Sequence, residues 1–145
     1  MAIIYKEQKD LPSEQLYALF RAVGWAGEDI PDFMLQHFNE PFLQSSHVVS
    51  AWDETRLIGC ARALTDGIIR AILWDVAVLP EYQGRGIGRA MVEKCIARYP
   101  AAQWLLCTIP ERMGFYEKLG FSRDDSIFMS IPCVYFDTQK ENKND

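Results

Sequence analysis

Three alternating glycines join an apolar strand to a helix in the middle of this 145-residue chain. Residues 71–78 read as the strand, Gln83-Gly-Arg-Gly-Ile-Gly88 as the turn and 89–98 as an amphipathic helix. The first backbone N–H groups of a helix have no carbonyl partner within it, and they make its N-terminus electropositive. Glycine lets a ligand come close to this backbone. The stretch therefore predicts a cradle for a phosphate or pyrophosphate.

The spacing of these glycines excludes two common phosphate-binding motifs. A Walker-type loop ends in Lys-Ser or Lys-Thr, whereas Gly88 is followed by Arg89 and Ala90. The dinucleotide fingerprint needs its third glycine three positions after the second, but Gly84, Gly86 and Gly88 alternate. An ordinary strand-to-helix connection and a nucleotide-phosphate binder remain alternatives for the turn taken alone.

Two motifs of this chain, which follow each other in the expected order, resemble motifs of the GNAT superfamily of acyl-CoA-dependent N-acyltransferases. Gln83-x-x-Gly86-x-Gly88 is similar to the pyrophosphate-binding loop of that superfamily. Gly114-Phe-Tyr-Glu-Lys-Leu-Gly-Phe121 is similar to the helix and turn that complete its acetyl-CoA site. The resemblance extends over residues 48–131. The stretches at 16–25, 61–67 and 73–76 are similar to the plant and cyanobacterial serotonin N-acetyltransferase-like branch.

The resemblance implies a single α/β domain over residues 1–138. Its mixed, mostly antiparallel sheet would have six to seven strands, with about four flanking helices and a splay at the acetyl-CoA site. Apolar patterns predict strands at 3–5, 47–51, 56–64, 71–78, 103–109, 126–131 and 134–136. They predict helices at 13–23, 32–38, 89–98 and 110–119. The polar stretch 139–145 is predicted to be a disordered tail.

Acetyl-CoA is the co-substrate that the resemblance implies, and no metal is expected. The strand before the turn would bond the pantetheine arm and polarise the thioester carbonyl through one N–H group. The gap for this arm would lie between 76–78 and 105–107. The expected contacts are Val76, Ala77, Val78, Gln83, Gly84, Arg85, Gly86, Ile87, Gly88, Arg89, Thr108 and Tyr116.

Tyr116 is the predicted general acid. A phenol has a reference pKa near 10, so at neutral pH it carries a proton that it can give to a departing thiolate. The position matches the tyrosine that has this role in many members of the superfamily. A tyrosine packed in the core is the alternative.

Asp75 is the predicted base, because it is the one ionisable group within the strand at 71–78. A carboxylate among apolar neighbours must be paired, solvated or neutralised. Pairing with Arg62 or Arg70 for structural reasons is the alternative. A water chain to Asp75, Glu28 or Asp29 is a further one. Strict alternation along this strand places Asp75 on the face opposite Trp74.

The acceptor pocket is expected between the loop at 25–31, the helix after it and the central strand, as in the superfamily. Its predicted lining is Trp25, Glu28, Phe33 and Trp74. The aromatic side chains favour an arylalkylamine, and the acidic one would meet a cation. Plain packing and a solvated loop are the alternative interpretations.

Bulk properties indicate an ordinary cytoplasmic enzyme. The net charge is −5, which argues against a nucleic-acid-binding face. Neither a secretory signal nor an apolar run of membrane-spanning length is expected. Four scattered cysteines favour buried thiols over a zinc site or a disulfide frame. A homodimer is expected by analogy with the superfamily.

The predicted function is therefore acetyl transfer from acetyl-CoA to the primary amine of a small molecule, by direct attack in a ternary complex. Acetylation of a protein N-terminus or lysine is an alternative on the same fold. A non-catalytic acyl-CoA sensor or partner-binding module would keep 83–88 but would not need Tyr116. An acyl-enzyme on Cys107 is the least favoured route.

Overall fold

Five strands form one sheet in chain order, in a computed structural model that describes residues 2–135. They are β1 (Ile4–Lys6), β2 (His47–Asp53), β3 (Arg56–Thr65), β4 (Arg70–Val78) and β5 (Gln103–Leu105). Strands β1 to β4 pair with one another in antiparallel orientation, and β5 pairs with β4 in parallel orientation. The predicted α/β class with a mixed, mostly antiparallel sheet is confirmed.

Five short α-helices accompany the sheet within the described residues. They are α1 (Ser13–Ala22), α2 (Asp32–Gln36), α3 (Glu40–Leu43), α4 (Ile87–Arg98) and α5 (Met113–Glu117), with 3₁₀ turns at Pro80–Tyr82 and Pro110–Arg112. The pattern located each of them to within a few residues except α3, which is a single turn. No helix in this part of the chain is long and apolar enough to cross a membrane.

The sheet is covered on both faces. Helix α4 packs on one face, where Met91 meets the Gly59 backbone. Helices α1 and α3 pack on the other, where Phe20 and Phe42 meet edge to face with ring centroids 6.3 Å apart and the Arg62 guanidinium lies over the Phe42 ring. Burial from both sides explains why β3 is apolar almost without interruption.

Gly59 marks the closest approach of α4 to the sheet. A Cβ at this position would lie 3.0 Å from Met91 Cε and 3.1 Å from the Ala77 carbonyl oxygen. We expect Gly59→Ala to lower the free energy of unfolding by about 1–3 kcal/mol, because the contact with a strand carbonyl is not relieved by a rotamer change. Urea denaturation measures this change.

Gly27→Ala is the matched control, since no atom lies within 4 Å of a Cβ built there. It should change the free energy of unfolding by less than about 0.5 kcal/mol. A Gly59→Ala protein as stable as the wild type would contradict the packing of α4 against β3.

A bulge in β4 breaks the alternation that the sequence predicted for this strand. The register pairs Arg62 with Trp74 and Cys60 with Ala77, so three steps along β4 match two along β3. The bulge contains Asp75, whose φ of 54° lies in the left-handed region. Cross-strand partners share a face, so Trp74 and Ala77 lie on the same side of the sheet. The strict alternation was therefore wrong, because a bulge shifts the phase of a strand.

The segment after α5 differs from its prediction. Residues 122–135 contain no strand, although 126–131 and the first part of 134–136 were predicted as strands. The apolar side chains of this segment are exposed, including Ile127, Met129 and Ile131. An apolar segment forms a strand only where a partner edge is available, and the described sheet ends at β5. It therefore has five strands instead of six or seven. Residue 136 and the predicted tail at 139–145 lie outside the described residues.

Candidate active site

A cleft of about 560 Å³ opens where β4 and β5 diverge. The two strands pair only at Arg70–Gln103, Ala71–Trp104 and Ile72–Leu105 within the described sheet. Beyond these pairs, residues 73–78 line one wall and 106–109 line the other. The cleft thus lies where the sequence predicted an opening, between 76–78 and 105–107. Divergence leaves strand backbone without a neighbour on this side, and an extended ligand could bond to it as an added strand.

The glycine turn closes one end of this cleft. Gly84 and Gly86 have φ of 79° and 78°, a region that glycine enters without strain. The Ala90 amide donates to the Gly86 carbonyl oxygen at 3.0 Å, so the amides of residues 87–89 precede the first intrahelical bond of α4. Gln83 Nε2 donates to the Val78 carbonyl oxygen at 2.9 Å and ties the turn to the end of β4. The turn therefore presents an electropositive helix N-terminus to the cleft.

A buried tyrosine next to the turn also lines the cleft. The buried Tyr82 hydroxyl donates to Asp53 Oδ2 at 2.5 Å, and this bond raises the pKa of Tyr82 above its usual value. The Arg85 guanidinium lies 5.3 Å from the Tyr82 ring centroid and donates to the Glu81 carbonyl oxygen at 3.1 Å. Arg85 therefore folds back on its own loop and does not line the cleft, unlike the other residues predicted at 83–89.

Within residues 2–135, three cationic side chains line the cleft of this acidic protein: Arg89, Arg112 and Lys118. Arg89 Nε also donates to Glu93 Oε1 at 2.8 Å. Sequence reasoning missed Arg112 and Lys118. Their position in the sequence could have identified them as cleft residues, because Lys118 lies within the motif at 114–121 and Arg112 lies just before it. Positive charge near the glycine turn favours an anionic ligand.

Tyr116 reaches the cleft from α5. Its ring packs edge to face against Phe115 and Phe121, with centroids 4.9 and 5.8 Å away. The Phe121 amide donates to the Tyr116 carbonyl oxygen at 3.1 Å, which closes the turn after the helix. A Cβ at Gly88 would lie 3.5 Å from the Phe115 ring, so α4 and α5 are already in close contact. The phenol is thereby held on a packed element that lines the cleft.

Asp75 also lines the cleft, and its partner is Arg62. Arg62 Nε donates to Asp75 Oδ2 at 2.6 Å. Of the two arginines predicted as partners, the structure therefore selects Arg62 over Arg70. The left-handed backbone of the bulge turns this side chain toward β3, which strict alternation did not predict.

The predicted acceptor residues separate into two groups. Trp25 and Trp74 line the cleft, whereas Glu28 and Phe33 do not. The Tyr17 hydroxyl shares its one proton between the carbonyl oxygens of Gly27 and Glu28, at 2.6 and 3.1 Å, which holds the loop against α1. The Glu28 side chain is 86% exposed and pairs with Arg21 at 3.3 Å. Phe33 is more than half exposed and packs 5.1 Å from the His37 ring.

The cysteines fall into a buried and an exposed pair. Cys60 and Cys95 are buried, and burial raises the pKa of Cys60 well above its usual value and that of Cys95 to about 12. Cys107 and Cys133 are exposed, and Cys107 lines the cleft. Thr108, also predicted, lies beside it. No group of three His, Cys, Asp or Glu side chains within 2–135 is arranged to hold a metal ion.

Comparisons with known proteins agree with this geometry. The protein-family model of the acetyltransferase (GNAT) domain matches residues 44–123. The chain is 32% identical over 131 residues to histone acetyltransferase TAP1 of Glycine max, covering 84% of this chain and 57% of that one. It is 38% identical over 93 residues to serotonin N-acetyltransferase 2, chloroplastic, of Oryza sativa subsp. japonica, covering 62% and 45%. The chain thus spans about half the length of these two relatives.

A solved structure shows the same fold. A GNAT family acetyltransferase from Streptococcus pneumoniae TIGR4 superposes with a TM-score of 0.72 at 25% identity, covering 89% of this chain and 98% of that one. The resemblance read from the motifs at 83–88 and 114–121 is confirmed.

Proposed function

Because the chain belongs to the GNAT acetyltransferase family, we propose that it transfers the acetyl group of acetyl-CoA to the primary amine of a small molecule. The observation that carries the proposal is one continuous cleft that joins the glycine turn, the open backbone of β4 and Tyr116. A sensor would need the turn and the open strand, but it would not need a phenol held opposite them.

The residues present fit acetyl-CoA in three respects. The N-terminus of α4, with Arg89, Arg112 and Lys118 nearby, suits the phosphates. The open edge of β4 at 76–78 suits the amide-bearing pantetheine arm. A backbone N–H of this edge would stabilise the oxyanion that develops during acyl transfer. The bound thioester supplies the acetyl group and the leaving thiolate.

Proton transfer is the work of the chain's own side chains. The Tyr116 hydroxyl donates its proton to the thiolate that leaves when the amine attacks the thioester carbonyl. Asp75 accepts the proton that the amine loses, directly or through water, because it is the one carboxylate among the described residues that line the cleft. Its Oδ2 is bonded to Arg62, so Oδ1 is the oxygen proposed to receive the proton.

An aromatic amine is the proposed acceptor. Trp25 and Trp74 line the cleft, and each packs edge to face against a further ring: Phe20 at 5.4 Å and Phe128 at 6.4 Å. Such rings offer a planar apolar wall to an aromatic side chain. Because one relative is named a histone acetyltransferase, a lysine side chain is the second candidate.

Release of CoA thiol from acetyl-CoA tests the proposal, with serotonin, tryptamine, spermidine, an aminoglycoside and a lysine peptide as acceptors. We expect turnover with the two indoles. Turnover with the lysine peptide alone would favour the second candidate. Protein that binds acetyl-CoA and releases no thiol with any acceptor would favour the sensor, and protein that binds no acetyl-CoA would overturn the proposal.

Labelling of Cys107 tests the position of the ligand without turnover. At pH 8 we expect maleimide to modify Cys107 and Cys133, whereas the buried thiols of Cys60 and Cys95 stay unmodified. Acetyl-CoA at ten times its Kd should slow labelling of Cys107 about tenfold, because roughly one molecule in eleven is then free. Peptide-resolved mass spectrometry measures both rates.

Cys133 is the internal control for this experiment, since it lies outside the cleft. Its rate should not respond to acetyl-CoA. Equal slowing of both thiols, or none at Cys107, would contradict the proposed binding mode.

Cytoplasmic location and the homodimer stay predictions, and the name of the rice relative places that protein in the chloroplast.

A further inference from the structure

We propose that Arg62 is a positioning residue for acetyl-CoA, because its ion pair with Asp75 holds the bulge that orients the backbone of residues 76–78. This inference rests on the proposed function only in taking the cleft as the acetyl-CoA site. Arg62 does not line the cleft itself. It acts through Asp75, which does.

The ion pair is partly enclosed. The Arg62 and Asp75 side chains are 18% and 26% exposed, with Nε and Oδ2 at 2.6 Å. A second element holds the guanidinium, which lies 5.6 Å from the Phe42 ring centroid and donates to Ser45 Oγ at 3.4 Å. Ser45 Oγ in turn donates to the Pro41 carbonyl oxygen at 2.6 Å. The guanidinium is therefore fixed from α3 and the residues after it, and it offers Asp75 a rigid partner.

The bulge needs such a partner because its backbone is strained. Asp75 has φ of 54°, a conformation that costs free energy for a residue with a Cβ, although less for aspartate than for alanine. The Asp75 carbonyl accepts a hydrogen bond from Cys60 Sγ at 3.3 Å, which is a weak contact. The ion pair is the strong interaction that reaches this residue from the neighbouring strand. Without the ion pair, the free energy of the extended conformation of Asp75 comes close to that of the left-handed conformation.

Loss of the bulge would reverse the directions of the side chains, N–H groups and carbonyl groups in the part of β4 that follows it. Val78 now pairs with Gly59, and Ala77 with Cys60. A shift of one residue in register sends every following side chain to the other face and exchanges its N–H and carbonyl directions. The residues that follow the bulge are 76–78, the open edge beside the cleft. Arg62 thus controls the direction of the groups that would bond the pantetheine arm.

The test is the Kd of acetyl-CoA, measured by calorimetry on variants of both residues. We expect Arg62→Met and Asp75→Ala each to raise the Kd about tenfold, because either change leaves the left-handed backbone without its anchor. Asp75→Gly should stay within about twofold of the wild type, since glycine adopts this φ without strain. Arg62→Met added to Asp75→Gly should cause no further loss.

Asp75→Asn separates positioning from proton transfer. Asparagine tolerates the left-handed region, and its amide oxygen still accepts from Arg62. Binding of acetyl-CoA should therefore remain within about twofold of the wild type, while kcat falls if the carboxylate is the base. A normal kcat would remove Asp75 from the proposed chemistry and leave the role of Arg62 intact.

Arg70→Met is the matched control, because Arg70 lies on β4 outside the cleft and its side chain does not bond Asp75. It should leave the Kd unchanged. An Arg62→Met protein with the wild-type Kd, or an Asp75→Gly protein that binds as weakly as Asp75→Ala, would overturn the inference. If Arg62→Met alone does not fold, the double variant with Asp75→Gly decides, because it should bind acetyl-CoA as tightly as Asp75→Gly. A wild-type protein that binds no acetyl-CoA would overturn the proposed function and this inference together.

Discussion

Tyr116→Phe is expected to lower kcat about 100-fold or more while the Kd of acetyl-CoA stays unchanged. The substitution removes one oxygen atom and keeps the ring, so the contacts with Phe115 and Phe121 remain. The substitution removes the hydroxyl that is the proposed proton donor to the departing thiolate. Steady-state kinetics with the best acceptor of the panel, together with calorimetry, measures the two quantities separately.

Tyr99→Phe is the matched control for this prediction. The chemical change is the same, but Tyr99 packs against His47 and Trp104 and does not line the cleft. Its kcat should equal that of the wild type. If Tyr116→Phe turned over at the wild-type rate, Tyr116 would be a packing residue and another proton donor would be required.

Gly86→Val is expected to raise the Kd of acetyl-CoA roughly 10- to 100-fold. Gly86 is the residue just before α4, and its φ of 78° is strongly disfavoured for a β-branched side chain. Relaxation of this residue toward negative φ would turn the first amides of α4 away from the cleft. Because the phosphates contribute binding rather than chemistry, kcat at saturating acetyl-CoA should change much less.

Gly67→Val supplies a control with the same strain. Gly67 has φ of 82° in the turn between β3 and β4, and no atom lies within 4 Å of a Cβ at either glycine. Both variants should lose comparable thermal stability, yet Gly67→Val should bind acetyl-CoA normally. Equal loss of binding in both variants would mean that unfolding, and not the turn, explains the effect of Gly86→Val.

The glycine turn at the N-terminus of α4 was predictable because its causes are local. A strand, a turn with glycines at 84, 86 and 88 and a helix all lie within about thirty consecutive residues, and backbone sterics together with the helix dipole act over that range. Tyr116 was predicted from the resemblance of the motif at 114–121 to the superfamily, and the structure brings it to the same cleft.

Contacts between distant segments decided what the pattern could not. Side-chain alternation assumes an uninterrupted period of two, and the bulge at Asp75 depends on the partner that β3 supplies thirteen residues earlier. The hydrogen bond from the Tyr17 hydroxyl fixes the loop that carries Glu28. In this position of the loop the Glu28 side chain points to solvent and not into the cleft.

The last predicted strands show the same limit most clearly. Residues 126–131 are apolar enough for a strand, but backbone groups need a second edge to bond, and a sequence pattern carries no information about where that edge lies. By itself the sequence determined the class of fold, the glycine cradle and the tyrosine. Only the tertiary structure decided which carboxylate meets which arginine, which aromatic side chains face the cleft and where the sheet ends, because each of these is a contact between segments far apart in the chain.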